Sequence, residues 1–122
     1  MEIKKIHHEF SICQVEDFSF VNIDSEYFFI GKTDEEKSLV CLTSKVPPNV
    51  IRRDDGWKAL RIQGVLEFSL IGILSKITVI LADNNISIFA VSTYNTDYLL
   101  IKKGNYEKAI QALENAEYKI ID

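Results

Sequence analysis

Glu67 and Asp97 are carboxylates at the ends of predicted elements, where each can receive an ammonium or a guanidinium. A helix predicted to open over Leu70 to Ile73 offers the complementary chemistry. Its first-turn backbone N–H groups and the positive end of its dipole form an anion site, and Gly72 lets that backbone come close to a bound molecule. Each feature has a plainer reading beside it: Asp97 can bond the backbone of its own turn, Glu67 can be a solvated charge, and Gly64 and Gly72 can simply relieve crowding. The other reactive residue types are not arranged for chemistry. His7 and His8 are neighbours in a strand-like run and point to opposite faces, so they cannot readily share a metal. Cys13 and Cys41 lie 28 residues apart without a C-x-x-C pattern and read as buried, reduced thiols. Asp34-Glu35-Glu36-Lys37 reads as a solvated turn, and the five glycines match neither a phosphate-binding loop nor a dinucleotide fingerprint. No catalytic constellation, metal site or cofactor is expected, and the chain is not expected to be an enzyme.

The elements that must position these residues fall into two parts, divided at Pro47-Pro48 and the polar stretch Asn49 to Gly56. In the front part, Ile3 to Gln14, Tyr27 to Ile30 and Ser38 to Thr43 are dense in β-branched and aromatic residues and predict three strands. Only eleven residues separate Val15 from Tyr27, which leaves little room for a helix. In the back part, Trp57 to Gln63 alternates apolar and polar residues as a half-buried strand does. Leu70, Ile73, Leu74, Ile77 and Leu81 follow at helical spacing, with Ser69 as a plausible N-cap and Asp83-Asn84-Asn85 as the stop. Strands at Ile86–Ser92 and Asp97–Lys102 flank a tight turn at Thr93 to Thr96. A second helix, capped by Asn105, carries Tyr106, Ala109, Ile110 and Leu113 on one face, and Tyr118 to Ile121 closes the chain as a strand.

This β-α-β-β-α-β order predicts an α+β, ferredoxin-like fold with an antiparallel sheet and two helices on one face. The expected division is a reduced N-terminal unit, residues 1–55, and a full unit, residues 57–122.

Composition narrows the classes of function. The chain has 122 residues, with 14 Lys and Arg against 18 Asp and Glu, and a net charge of −4. Nucleic acid and anionic membranes demand a basic excess, so neither is expected as a partner. The strand Asp97 to Lys102 also lacks the stacking aromatics of an RNA-binding sheet of the same topology. The longest strongly apolar stretch, Phe68 to Ala82, is too short and too interrupted to span a bilayer. Met1-Glu2-Ile3-Lys4-Lys5 has no apolar run behind its charges, so no signal peptide is expected and the protein is placed in the cytoplasm.

Two strings carry a resemblance: Gly64-Val65-Leu66-Glu67-Phe68-Ser69-Leu70-Ile71-Gly72-Ile73-Leu74, and Ile86 to Ile101 with its Ser92-Thr93-Tyr94-Asn95-Thr96-Asp97-Tyr98 core. Together with Gly31 to Cys41, they resemble the ACT domains of the CASTOR-type arginine sensor and its small bacterial relatives, which pair two ACT-like units in one short chain. The resemblance implies a non-catalytic regulatory module that binds a small molecule, an amino acid, at an ACT–ACT interface and assembles as a homodimer. It places the ligand against Gln63, Gly64, Val65, Leu66, Glu67 and Phe68, with Gly72, Ile73 and Leu74, and against the turn residues Ser92, Thr93, Thr96 and Asp97. A cationic ligand would account for Glu67 and Asp97 together. The alternative is a structural dimerisation module that uses no ligand, since an exposed sheet edge invites pairing on its own.

Overall fold

In the computed structural model, residues 1–63 and 72–122 are described. Among the described residues the chain forms seven strands and two α-helices: β1 (Glu2–Val15), β2 (Phe28–Lys32), β3 (Lys37–Leu42), β4 (Val50–Ile62), α1 (Ile73–Asp83), β5 (Phe89–Ser92), β6 (Asp97–Lys102), α2 (Tyr106–Asn115) and β7 (Lys119–Ile121). They divide between two compact units. One is His8–Trp57, and the other is Lys58–Asp122 together with Met1–His7.

In the unit of residues 8–57, β3 lies between β2 and β1, antiparallel to both. Its register sets Ser11 opposite Cys41 and Cys13 opposite Leu39. Alternate residues of the two strands, Cys13 and Val15 with Leu39 and Cys41, therefore share one face. They form a small core, with Phe18, Val21, Phe28, Val46 and Val50 packed on it. The short link between β1 and β2 forms bends and turns, and among the described residues this unit carries no α-helix.

The stretch read from sequence as punctuation is different. From Val50 onward it is strand, and its polar character reflects exposure: Arg52, Arg53, Asp54 and Asp55 all face solvent. Asp55 accepts from the buried Ser11 hydroxyl at 2.5 Å and from Arg53 Nε at 3.1 Å. Gly56, at φ 82°, takes a backbone conformation that a β-carbon would strain.

In the other unit the strand order is β7-β1-β4-β6-β5. Leu60 and Ile62 of β4, Leu99 and Ile101 of β6, and Ile3 of β1 bury one face of the sheet. Both helices pack there, through Ile77 and Leu81 of α1 and Tyr106, Ala109, Ile110 and Leu113 of α2. The sheet departs from the expected all-antiparallel arrangement. β7 runs parallel to the start of β1, pairing Glu2 with Lys119 and Lys4 with Ile121, and Gln63 N–H donates to Glu2 C=O on the other side. The chain start takes this place with Ile3 fully buried in the core of this unit.

The first helix ends where Asp83-Asn84-Asn85 predicts, and the second, for which the sequence set no stop, ends by the same geometry. Asn85 at φ 59° and Glu117 at φ 71° adopt the left-handed conformation. Each leads into paired closing bonds: Ile86 N–H to Leu81 C=O with Asn85 N–H to Ala82 C=O, and Tyr118 N–H to Leu113 C=O with Glu117 N–H to Glu114 C=O.

The hairpin of each unit follows the same course 60 residues apart. β3 and β6 begin at Lys37 and Asp97, share one burial pattern, and each run into a single 3-10 turn, Thr43–Lys45 and Lys103–Asn105. Thr33 N–H closes the first hairpin on Glu36 C=O at 3.0 Å, and Thr93 N–H closes the second on Thr96 C=O at 2.8 Å. The fold is α+β and ferredoxin-like, with two related units of which the N-terminal one is reduced.

Candidate functional site

The β5–β6 turn is built on threonine side chains. Thr93 Oγ1 donates to Thr96 C=O at 2.9 Å, and the Thr96 hydroxyl, in a residue only 8% exposed, donates to Ile62 C=O at 2.6 Å. The second bond fixes the turn against the end of β4. Arg61 projects there from β4, on the face opposite Leu60 and Ile62, and Gln63 follows directly after the strand. Together with Ile62, Thr93, Asn95, Thr96 and Tyr98 they line a cleft of about 210 Å³.

The Arg61 guanidinium is held on two sides. Nε donates to Gln63 Oε1 at 3.3 Å, Nη1 donates to the Tyr98 hydroxyl at 3.4 Å, and Cζ stands 5.8 Å from the centre of the Tyr98 ring.

The sequence-predicted residues distribute as follows. Thr93 and Thr96 line the cleft. Ser92 and Asp97 are paired across the hairpin, the Ser92 hydroxyl donating to Asp97 Oδ1, and neither is among the described lining residues. Gly72 precedes α1 at φ 81°, and its carbonyl accepts the first helical bond, from Lys76 N–H at 2.9 Å. The first described turn of the helix is therefore Ile73 to Lys76, later than the Leu70 to Ile73 expected, and Ile73 packs on the core rather than facing the cleft. Gly64, Val65, Leu66, Glu67 and Phe68, with the expected cap Ser69, lie outside the described residues.

Arg61, Asn95 and Tyr98 were not anticipated as site residues. A signal for Arg61 existed in the alternation of Trp57 to Gln63, which puts Arg61 and Gln63 on one face directly before the segment under suspicion.

The unit of residues 8–57 also holds a void, a much smaller one. Its void, lined by Val21, Asn22, Ser25, Phe28, Leu39, Cys41 and Lys45, measures about 10 Å³, enough for about one water. Asp17-Phe18-Ser19 stands 50 residues before Glu67-Phe68-Ser69. The Asp17 carboxylate is already engaged: it accepts from Ser19 N–H, the Ser19 hydroxyl and Asn49 Nδ2, and the Ser19 bonds hold it below the usual carboxylate range. Cys13 and Cys41 are buried free thiols, and burial pushes the Cys41 thiol up to about 12. Among the described residues no cluster of His, Cys, Asp and Glu could hold a metal ion, and no helix is long and apolar enough to cross a membrane.

A ferredoxin-like sheet with two helices on one face, and a polar cleft beside its β5–β6 turn, is an architecture that the ACT domain shares. The ACT domain family matches residues 52–115, just over half of the chain, and the chain belongs to that family. It is similar to a crystal structure of a protein from Agobacterium tumefaciens, at 30% identity over 99% of this chain and 92% of that one, with a TM-score of 0.84. The fold is also that of the regulatory subunit of aspartate kinase from Thermus thermophilus in its ligand-free form, at 12% identity, 92% and 93% coverage and a TM-score of 0.61. A third similar structure is the allosteric aspartate kinase of Clostridium acetobutylicum, at 16% identity and a TM-score of 0.66; 93% of this chain corresponds to 33% of that enzyme. No curated protein matches in sequence.

Proposed function

We propose that this ACT domain protein is a non-catalytic regulatory module that binds an amino acid in the cleft between the end of β4 and the β5–β6 turn. The observation that carries the reading is the cleft itself: it gathers Gln63, Thr93 and Thr96, all residues to which the CASTOR-type resemblance points, into about 210 Å³ of polar-lined space. Gly64 to Phe68, with Gly72, Ser92 and Asp97, complete the proposed ligand environment. The chain works in the cytoplasm as a homodimer, residues 1–55 acting as a reduced ACT-like unit and residues 57–122 as the ACT domain. An ACT-like unit of a second copy closes over the ligand, so that occupancy shifts the association or the affinity for a client protein.

The test is a thermal-shift screen of the purified chain against the twenty amino acids at millimolar concentration. A ligand at about 100 times its Kd stabilises by roughly 2.7 kcal/mol, which moves the midpoint of a domain this size by about 10 °C. A selective rise that Asp97→Asn weakens supports the reading. A folded protein that responds to none of them overturns it and leaves a structural pairing module, for which the specific observation is β5, a terminal strand of its sheet with Phe89 37% exposed.

A further inference from the structure

We draw no further inference here: the strongest candidate, the buried thiol pair of Cys13 on β1 and Cys41 on β3 in the core of the unit of residues 8–57, carries nothing, because the strand register sets the two at diagonal positions, which stand about 7–8 Å apart and beyond the reach of a disulfide, and among the described residues they belong to no group of three or more side chains able to hold a metal ion.

Discussion

The hydroxyl of Thr96 donates to the main-chain carbonyl of Ile62 at 2.6 Å, joining the β5–β6 turn to the last residue of β4 across 34 positions of sequence. Ile62 is fully buried and Thr96 nearly so, so the bond satisfies a carbonyl that lacks easy access to water. Thr96→Val keeps the shape and removes the donor. It is expected to cost about 1–3 kcal/mol, the penalty of an orphaned buried acceptor, and chemical denaturation measures it. Thr96→Ser, which retains the hydroxyl, is expected to lose less than half as much. Equal losses in both would mean that the methyl group, not the hydrogen bond, holds the turn.

Tyr106 makes a comparable tie, its hydroxyl donating to Ala59 C=O at 3.0 Å from the start of α2. Tyr106→Phe is expected to lower stability by about 1 kcal/mol, with the helical circular dichroism signal of the folded protein unchanged. Leu81→Ala, at a fully buried position of α1, is expected to cost about 2–5 kcal/mol because it leaves a cavity as well as losing apolar contact.

Glu117 occupies the left-handed position after α2 at φ 71°, a conformation that costs a residue with a β-carbon about 1 kcal/mol or more. Glu117→Gly is therefore expected to raise the thermal midpoint by about 2–4 °C. Gly72→Ala, at φ 81° with open space around a built β-carbon, is expected to lower it by a similar amount, through backbone strain and not through a clash.

Cys41 sets an alkaline limit on stability. Burial, and then the neighbouring Cys13, push its thiol from an ordinary 9.0 up to about 12 in the folded chain. The folded state thus keeps a proton that the unfolded state releases. This contribution is fully present below pH 9 and is lost as pH rises from about 9 towards 12. Tyr106, also raised to about 12, chiefly by burial, adds to the same decline above pH 10. Urea midpoints measured from pH 8 to 10.5 are expected to fall, and Cys41→Val is expected to flatten the slope. At pH 8, both thiols in the folded chain are expected to resist alkylation until denaturant is added.

Much of the architecture was legible in local sequence. The strand at Asp97–Lys102, the faces of both helices and the helix stop at Asp83-Asn84-Asn85 follow from hydrophobic period and from the tolerance of Asn for left-handed backbone, both properties of neighbouring residues. The acidic character of the chain is likewise a property of composition. Tertiary structure decided what depends on partners distant in sequence. Arg52 to Asp55 read as a loop, yet they are strand, because the backbone of β4 pairs with β1 whatever the polarity of its exposed side chains. Met1 to His7 join the unit of residues 58–122, where β7 pairs with β1 in parallel, a choice that no local pattern encodes. The cleft follows the same rule. Thr93 and Thr96 could be picked out by resemblance, but Arg61 and Tyr98 become its neighbours only through the pairing of β4 with β6, which sets side chains 37 residues apart on one face.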